Sequence, residues 1–191
     1  MNPDVIQCWE NFLNPDVQRS RLISSAIFIA TFQSLKDSII DRARGIFWCG
    51  FRDNQEIFDP KYQSEVLSRN QSPLYASLDW LWEMNAIDAN DIEAFNRVKG
   101  CRNHLAHELL NVVCGKGLPD DYSDRFKELA GLLRKIEVWW IRNMEDIGED
   151  VDESAIVPGR IINLDLLCGI AIEGDRSFYE YMRKQSIVAS A

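Results

Sequence analysis

Between Asp16 and Phe47 the chain reads DVQRSRLISSAIFIATFQSLKDSIIDRARGIF, free of proline, with apolar Leu22, Ala26, Ile29, Phe32, Leu35 and Ile39 recurring every three or four residues. That spacing predicts one long amphipathic helix, stopped near Gly50. The tetrapeptide NPDV stands at 2–5 and again at 14–17, each copy offering an Asn cap followed by a first-turn Pro, so two helices are expected to start there. A third helix opens at Ser72–Pro73 with the stripe Leu74, Leu78, Leu81 and Trp82, and ends near Asn85. Asn90 with Glu93 three residues on has the capping-box pattern and predicts a helix running to Gly115. A further helix carries Phe126, Leu129, Leu133 and Ile136 on one side and reaches about Met144. The stretch 49–71 holds Pro60 and no sustained period, and reads as a long connection with at most one short helical turn. After the acidic run EDIGEDVDE, itself read as a solvated turn, the tail predicts two short helices split near Gly174, with a short strand over VPGRIINL as the alternative. No several-strand period-two alternation exists, so the expected fold class is an all-α helical bundle. It forms a single domain over 1–191, with its core at about 16–144 and a C-terminal extension over 145–191.

The chain's 46% hydrophobic content, with six Trp and nine Phe, supplies enough bulky side chains for a packed core. Five cysteines, odd in number and without CxxC spacing, argue against a disulfide framework or zinc site and fit a reducing, cytoplasmic setting. No basic leader precedes the first helix, and no run reaches the roughly 20 apolar residues that would span a bilayer. The net charge of −9 weighs against a broad nucleic-acid-coating surface while leaving room for a small basic cleft. CGKG at 114–117 lacks the phosphate-loop spacing and reads as a helix stop.

Both histidines, His104 and His107, fall in CRNHLAHELL at 101–110. On a helical wheel at about 100° per residue, Ile92, Phe95, Val98, Cys101, Leu105, Leu109 and Val112 form the core side. Asn103 and His107 lie roughly opposite, in a row continued by Leu110 and Cys114 and flanked by Ala106. A solvated face would carry charges there, so the partly apolar row predicts a second packing surface, in this chain or in a two-fold dimer. Arg102 points about 140° away from His107 and must reach around, helped by its long stem and by Gly100. His104, off the row, reads as helix surface. Cys101, His104, His107 and Glu108 fan around the helix and do not make a metal site. Trp139, Trp140 and Tyr122 read as core or interface before base-stacking residues.

The residues RNHLAH, with Arg102, Asn103 and His107 in the order Arg, polar residue, His, resemble the motif of the HEPN (higher eukaryotes and prokaryotes nucleotide-binding) ribonucleases. The resemblance covers the helical portion from about 16 to 144. It implies a helical bundle, usually dimeric, with a composite cleft that cleaves RNA without a metal, often as a toxin or in defence against phage. Elementary chemistry agrees with such roles: imidazole titrates near neutrality and can take a proton from a 2′-hydroxyl, while a guanidinium binds phosphate bidentately. The resemblance thus makes His107 the general base, Arg102 the phosphate ligand and Asn103 their support, with no cofactor and no metal. Where a toxin branch of the family carries a Tyr modified by its antitoxin, this chain has Leu109. The expected partners are an RNA substrate, a second copy of the chain and a possible antitoxin or regulatory protein, with no membrane. The alternative is a non-catalytic module of the same fold that binds a nucleotide, RNA or protein.

Overall fold

Asn14 sets the start of the longest element. Its side-chain oxygen accepts hydrogen bonds from the amides of Asp16 (3.0 Å) and Val17 (3.4 Å), while Pro15 takes the first helical position, where no amide donor is needed. In this computed structural model, which describes residues 3–144 and 151–172 with Gly174, Arg176 and Ser177, that helix is α2, Pro15–Ile46. It follows α1, Pro3–Leu13, and at 1.5 Å per residue it extends about 48 Å. The helix α3 is Pro73–Glu83, α4 is Ala89–His107, α5 is the single turn Leu109–Asn111, α6 is Tyr122–Met144 and α7 is Gly159–Ala171.

The long helix α2 lies at the centre and touches α3, α4, α6 and α7. Its buried line agrees with the expected stripe at Phe32, Leu35 and Ile39, with Ile29 half-buried against the core, but not before them: Leu22 and Ala26 face solvent, and Ser25, Phe28 and Thr31 are buried as well. The hydroxyls can turn inward because each donates to its own helix, Ser25 Oγ to Arg21 O and Thr31 Oγ1 to Ile27 O, both at 2.8 Å. Self-satisfied polar groups bury cheaply, and apolar spacing alone does not find them. Phe32 stacks on Phe95 of α4 with centroids 5.8 Å apart, and Phe28 meets Tyr122 and Phe126 of α6. Each such large side chain contributes about 1.5–3 kcal/mol on full burial.

In α3 the expected inward Trp82 is exposed and Trp80 is buried, because Trp80 stacks on Trp140 (6.0 Å) and meets Phe47 edge-on (6.3 Å). Asn85, at φ 58°, ends that helix in the left-handed region that Asn tolerates. The next cap is Asp88, not Asn90. Its carboxylate accepts from the amides of Asn90 (2.8 Å) and Asp91 (3.2 Å), and Asp91 answers by accepting from the Asp88 amide (2.8 Å). Lys135 of α6 bonds both carboxylates and ties this box to the bundle. Hydrogen bonding to Lys135 and to the Asp91 and Asn90 amides holds the Asp88 carboxyl below its ordinary range.

The expected connection 49–71 contains a β-hairpin, Trp48–Arg52 (β1) against Gln55–Phe58 (β2), antiparallel with Gly50 opposite Ile57 and Arg52 opposite Gln55. Asp53 and Asn54 turn the tip at φ 52° and 61°, the paired positive values of a type I′ turn. Four- and five-residue strands with an irregularity at Cys49 are too short to show an alternation. One short helical stretch follows over 62–69, as expected.

From Gly159 onward the VPGRIINL segment is helical and opens α7, which a buried carboxylate fastens to the bundle. Glu137 of α6, 1% exposed, accepts from Ser38 Oγ (2.6 Å) and Arg42 Nη2 (2.8 Å) of α2, and lies 3.1 Å from Arg160 Nε of α7. Arg160 also donates to Ser34 O and Oγ. The second expected tail helix, beyond Gly174, and most of the acidic run fall outside the described residues. Among the described residues no helix is long and apolar enough to cross a membrane.

Candidate functional site

Phe95, Val98, Cys101, Leu105 and Val112 are buried as the wheel requires, while Ile92 and Leu109 of the same side are half-buried. The helix does not run on to Gly115. It ends at His107, where Glu108 leaves helical geometry (φ −109°, ψ 20°), resumes for the single turn of α5, and closes in a wide turn over Val112–Lys116 with Gly115 at φ −123°, ψ −106°. Tertiary contacts hold the closing turn. Arg21 of α2 donates to Val113 O (3.2 Å) and Gly115 O (3.3 Å), two carbonyls that helix termination leaves without helical partners. Gly117 follows at φ 90°, and a Cβ there would sit 3.1 Å from Arg21 Nη2. His107 is therefore the last residue of a helix, at a fixed corner of the chain.

Arg102 is half-buried on α4. Its Nη1 donates to Asn103 Oδ1 (3.1 Å), and its guanidinium carbon lies 5.7 Å from the centre of the Phe32 ring, within range of cation–π attraction. Its Nε is buried and has no hydrogen-bond partner. His107 is exposed and makes no hydrogen bond or ion pair to a described residue. The fold thus joins Arg102 to Asn103 and leaves His107 apart, as the angle between their helical positions requires.

The row opposite the core is open. Asn103 and Cys114 are half-buried, Ala106 is exposed, and Leu110 is 78% exposed. The turn after α5 packs against α1, whose Val5, Ile6, Trp9, Phe12 and Leu13 are also exposed. α1 covers the Cys114 end of the second packing surface read from the sequence, whereas Ala106 and Leu110 stay uncovered by the described part of the chain.

His104 is exposed helix surface, as expected, and the structure adds a neighbourhood that the sequence did not show. This histidine lines a cleft of about 500 Å³ between α4 and α6, with Arg97, Gly100 and Cys101 on one wall and Pro119, Asp121 and Arg125 on the other. Gly100, one turn before His104 on the same side, was the available signal: a missing side chain in mid-helix leaves a groove. Arg97 donates through Nε (3.1 Å) and Nη2 (2.9 Å) to Glu128 Oε1, and Arg125 stands between Asp121 and Glu128. Burial, with the Asp121 charge adding and Arg125 opposing, pushes the Cys101 thiol up to about 11, so at neutral pH it is a neutral lining group and no nucleophile.

Tyr122 belongs to the core side, its hydroxyl donating to Ser24 O (2.9 Å) and pushed up to about 12 by burial. Trp140 is buried and donates to Ser38 O. Among the described residues no group of three or more His, Cys, Asp or Glu is placed to hold a metal ion. No protein-family model matches this chain, and no match was found among curated proteins or solved structures.

Proposed function

We propose that this chain is a HEPN-type endoribonuclease that cleaves RNA by internal attack of the 2′-hydroxyl, without a metal. One observation carries the reading: at one helix end, Arg102 keeps a buried Nε without a hydrogen bond while the His107 imidazole stands unengaged. Buried donors are normally satisfied, so an orphaned guanidinium nitrogen favours an anionic ligand. His107 takes the 2′-proton, the 2′-oxygen attacks phosphorus, and the bond to the 5′-oxygen breaks. A cyclic 2′,3′-phosphate and a 5′-hydroxyl result, and DNA, lacking the nucleophile, is spared. Arg102, steadied by Asn103, offsets charge developing on the phosphoryl oxygens.

Because Arg102 and His107 diverge on their own helix, the working site is composite and built by two copies across a two-fold axis. The exposed Ala106, Leu110 and α1 stripe supply an apolar seam for that pairing. The leaving oxygen takes its proton from the second imidazole of the pair. In the cell the enzyme acts as a toxin or phage-defence effector, and any antitoxin partner works by a route other than tyrosine modification, since Leu109 stands at that position.

Purified protein incubated with RNA in EDTA is expected to yield cyclic-phosphate ends. His107→Ala and Arg102→Ala are expected to lose about 10²-fold or more of the rate. Equal cleavage by all three proteins overturns the proposal. The net charge of −9 favours a second reading, a module that binds RNA, a nucleotide or a protein partner without cutting it. Binding with no turnover at any pH near neutrality selects that reading.

A further inference from the structure

We infer that the cleft between α4 and α6 is a nucleobase site, in which Arg97, His104, Asp121 and Arg125 read the edge of one base. The use assigned to it, setting which nucleotide lies beside the cut, rests on the ribonuclease reading; the binding itself does not.

Position comes first. His104 and His107 are separated by about 60° around the helix axis and about 4.5 Å along it, so a base held over His104 lies next to a phosphodiester at His107. Charge comes second. The guanidiniums of Arg97 and Arg125 are faced by three carboxylates, Glu93, Asp121 and Glu128, so the cleft has no excess positive charge to attract a phosphate. A neutral ring with donors and acceptors on its edge suits this mixture better.

Exposed polar groups are the third point. Arg125 is ion-paired to Asp121 (3.2 Å) and Glu128 (2.8 Å), while Asp121 and Arg97 of the same cleft stay 61% and 45% exposed and can meet the edge of a base. Arg97 spends two donors on a single oxygen of Glu128. Shape completes the case. The volume of about 500 Å³ is within the range of small-molecule sites, and beyond the adjacent residues and backbone of its own helix no atom lies within 4 Å of where a Gly100 side chain would begin. The Cys101 side chain adds a polarizable, uncharged patch to the same wall.

The chain has only two histidines, so their ring signals in proton NMR report the two places separately. His107→Ala assigns them. The full-length protein is titrated with adenosine, guanosine, cytidine and uridine, and separately with inorganic phosphate. At least one nucleoside is expected to shift the His104 signal, and phosphate is not. Gly100→Leu, which fills the open space, is expected to weaken that binding at least tenfold without lowering the thermal midpoint. His104→Ala, at an exposed position, is expected to weaken it at least fivefold by calorimetry. No shift with any nucleoside, an equal shift with phosphate, or wild-type binding by both variants overturns the inference. Nucleoside binding without RNA cleavage removes the ribonuclease reading and keeps the base site. RNA cleavage that Gly100→Leu leaves unchanged in rate and base preference, with no nucleoside bound, does the reverse.

Discussion

Glu137 on α6 and Arg102 on α4 are both charged side chains drawn out of water, yet their surroundings differ. Around Glu137 the hydrogen-bonding capacity is used: one hydroxyl and two guanidiniums converge on a carboxylate that is 1% exposed, and the three partners come from two other helices. Around Arg102 it is not. One nitrogen reaches Asn103, an aromatic face backs the guanidinium, and Nε is left without a partner. A saturated cluster can only hold helices together, whereas one with unspent donors can accept a ligand. The contrast, more than the presence of charge, separates framework from candidate site.

Replacing Glu137 should produce the largest effect on the fold. Glu137→Leu leaves Arg42 and Arg160 without their shared anion. Because these guanidiniums are 34% and 31% exposed, the expected loss is about 2–3 kcal/mol, below the usual cost of breaking a fully buried pair. Urea unfolding measures it, and a loss no larger than that of a surface substitution would mean that α7 is not fastened through this carboxylate.

Asp88→Ala should have a smaller effect and carries a pH signature. The folded carboxyl titrates below its ordinary 3.8, so its contribution is complete above that pH and disappears as the pH falls through the lower folded value. The stability gap between wild type and variant is therefore expected at neutrality and should close in acid. A gap that persists unchanged in acid would show that the ionised cap and its Lys135 partner are not its source.

The smallest effect on stability is expected at the candidate site. His107→Ala removes an exposed ring with no partner among the described residues, and the denaturation midpoint should move by the equivalent of less than about 0.5 kcal/mol, even as any RNA cleavage is lost. A large destabilisation would place His107 with Glu137 in the framework and erase the distinction drawn between the two clusters.

Helices α2, α4 and α6 and the break at Asn85 were legible because each is written locally, in a spacing of three to four or a capping side chain within a few residues. The core stripe of α4 survived for the same reason, as did the placing of Arg102 and His107 on diverging sides. Less was legible where a residue's role depends on another element. Trp82 and Trp80 are equally apolar, and only the ring of Trp140 chooses between them. Ser25 and Thr31 look like surface residues until their own helix satisfies them.

The sequence by itself determined that this chain builds helices, where most of them begin, and that Arg102, Asn103 and His107 share one helix with Arg102 and His107 on diverging sides. Periodicity and capping act over a single turn and need no other part of the molecule. Tertiary structure decided how the motif segment closes after α5, because the carbonyls of Val113 and Gly115 in the turn Val112–Lys116 are taken by Arg21, ninety-two residues before Val113. It also decided that His104 lines a cleft, since the opposite wall comes from Asp121 and Arg125, and that Glu137 is saturated, since its partners arrive from α2 and α7. Burial and hydrogen-bond satisfaction belong to the set of neighbours a residue acquires, and those neighbours are distant in the chain.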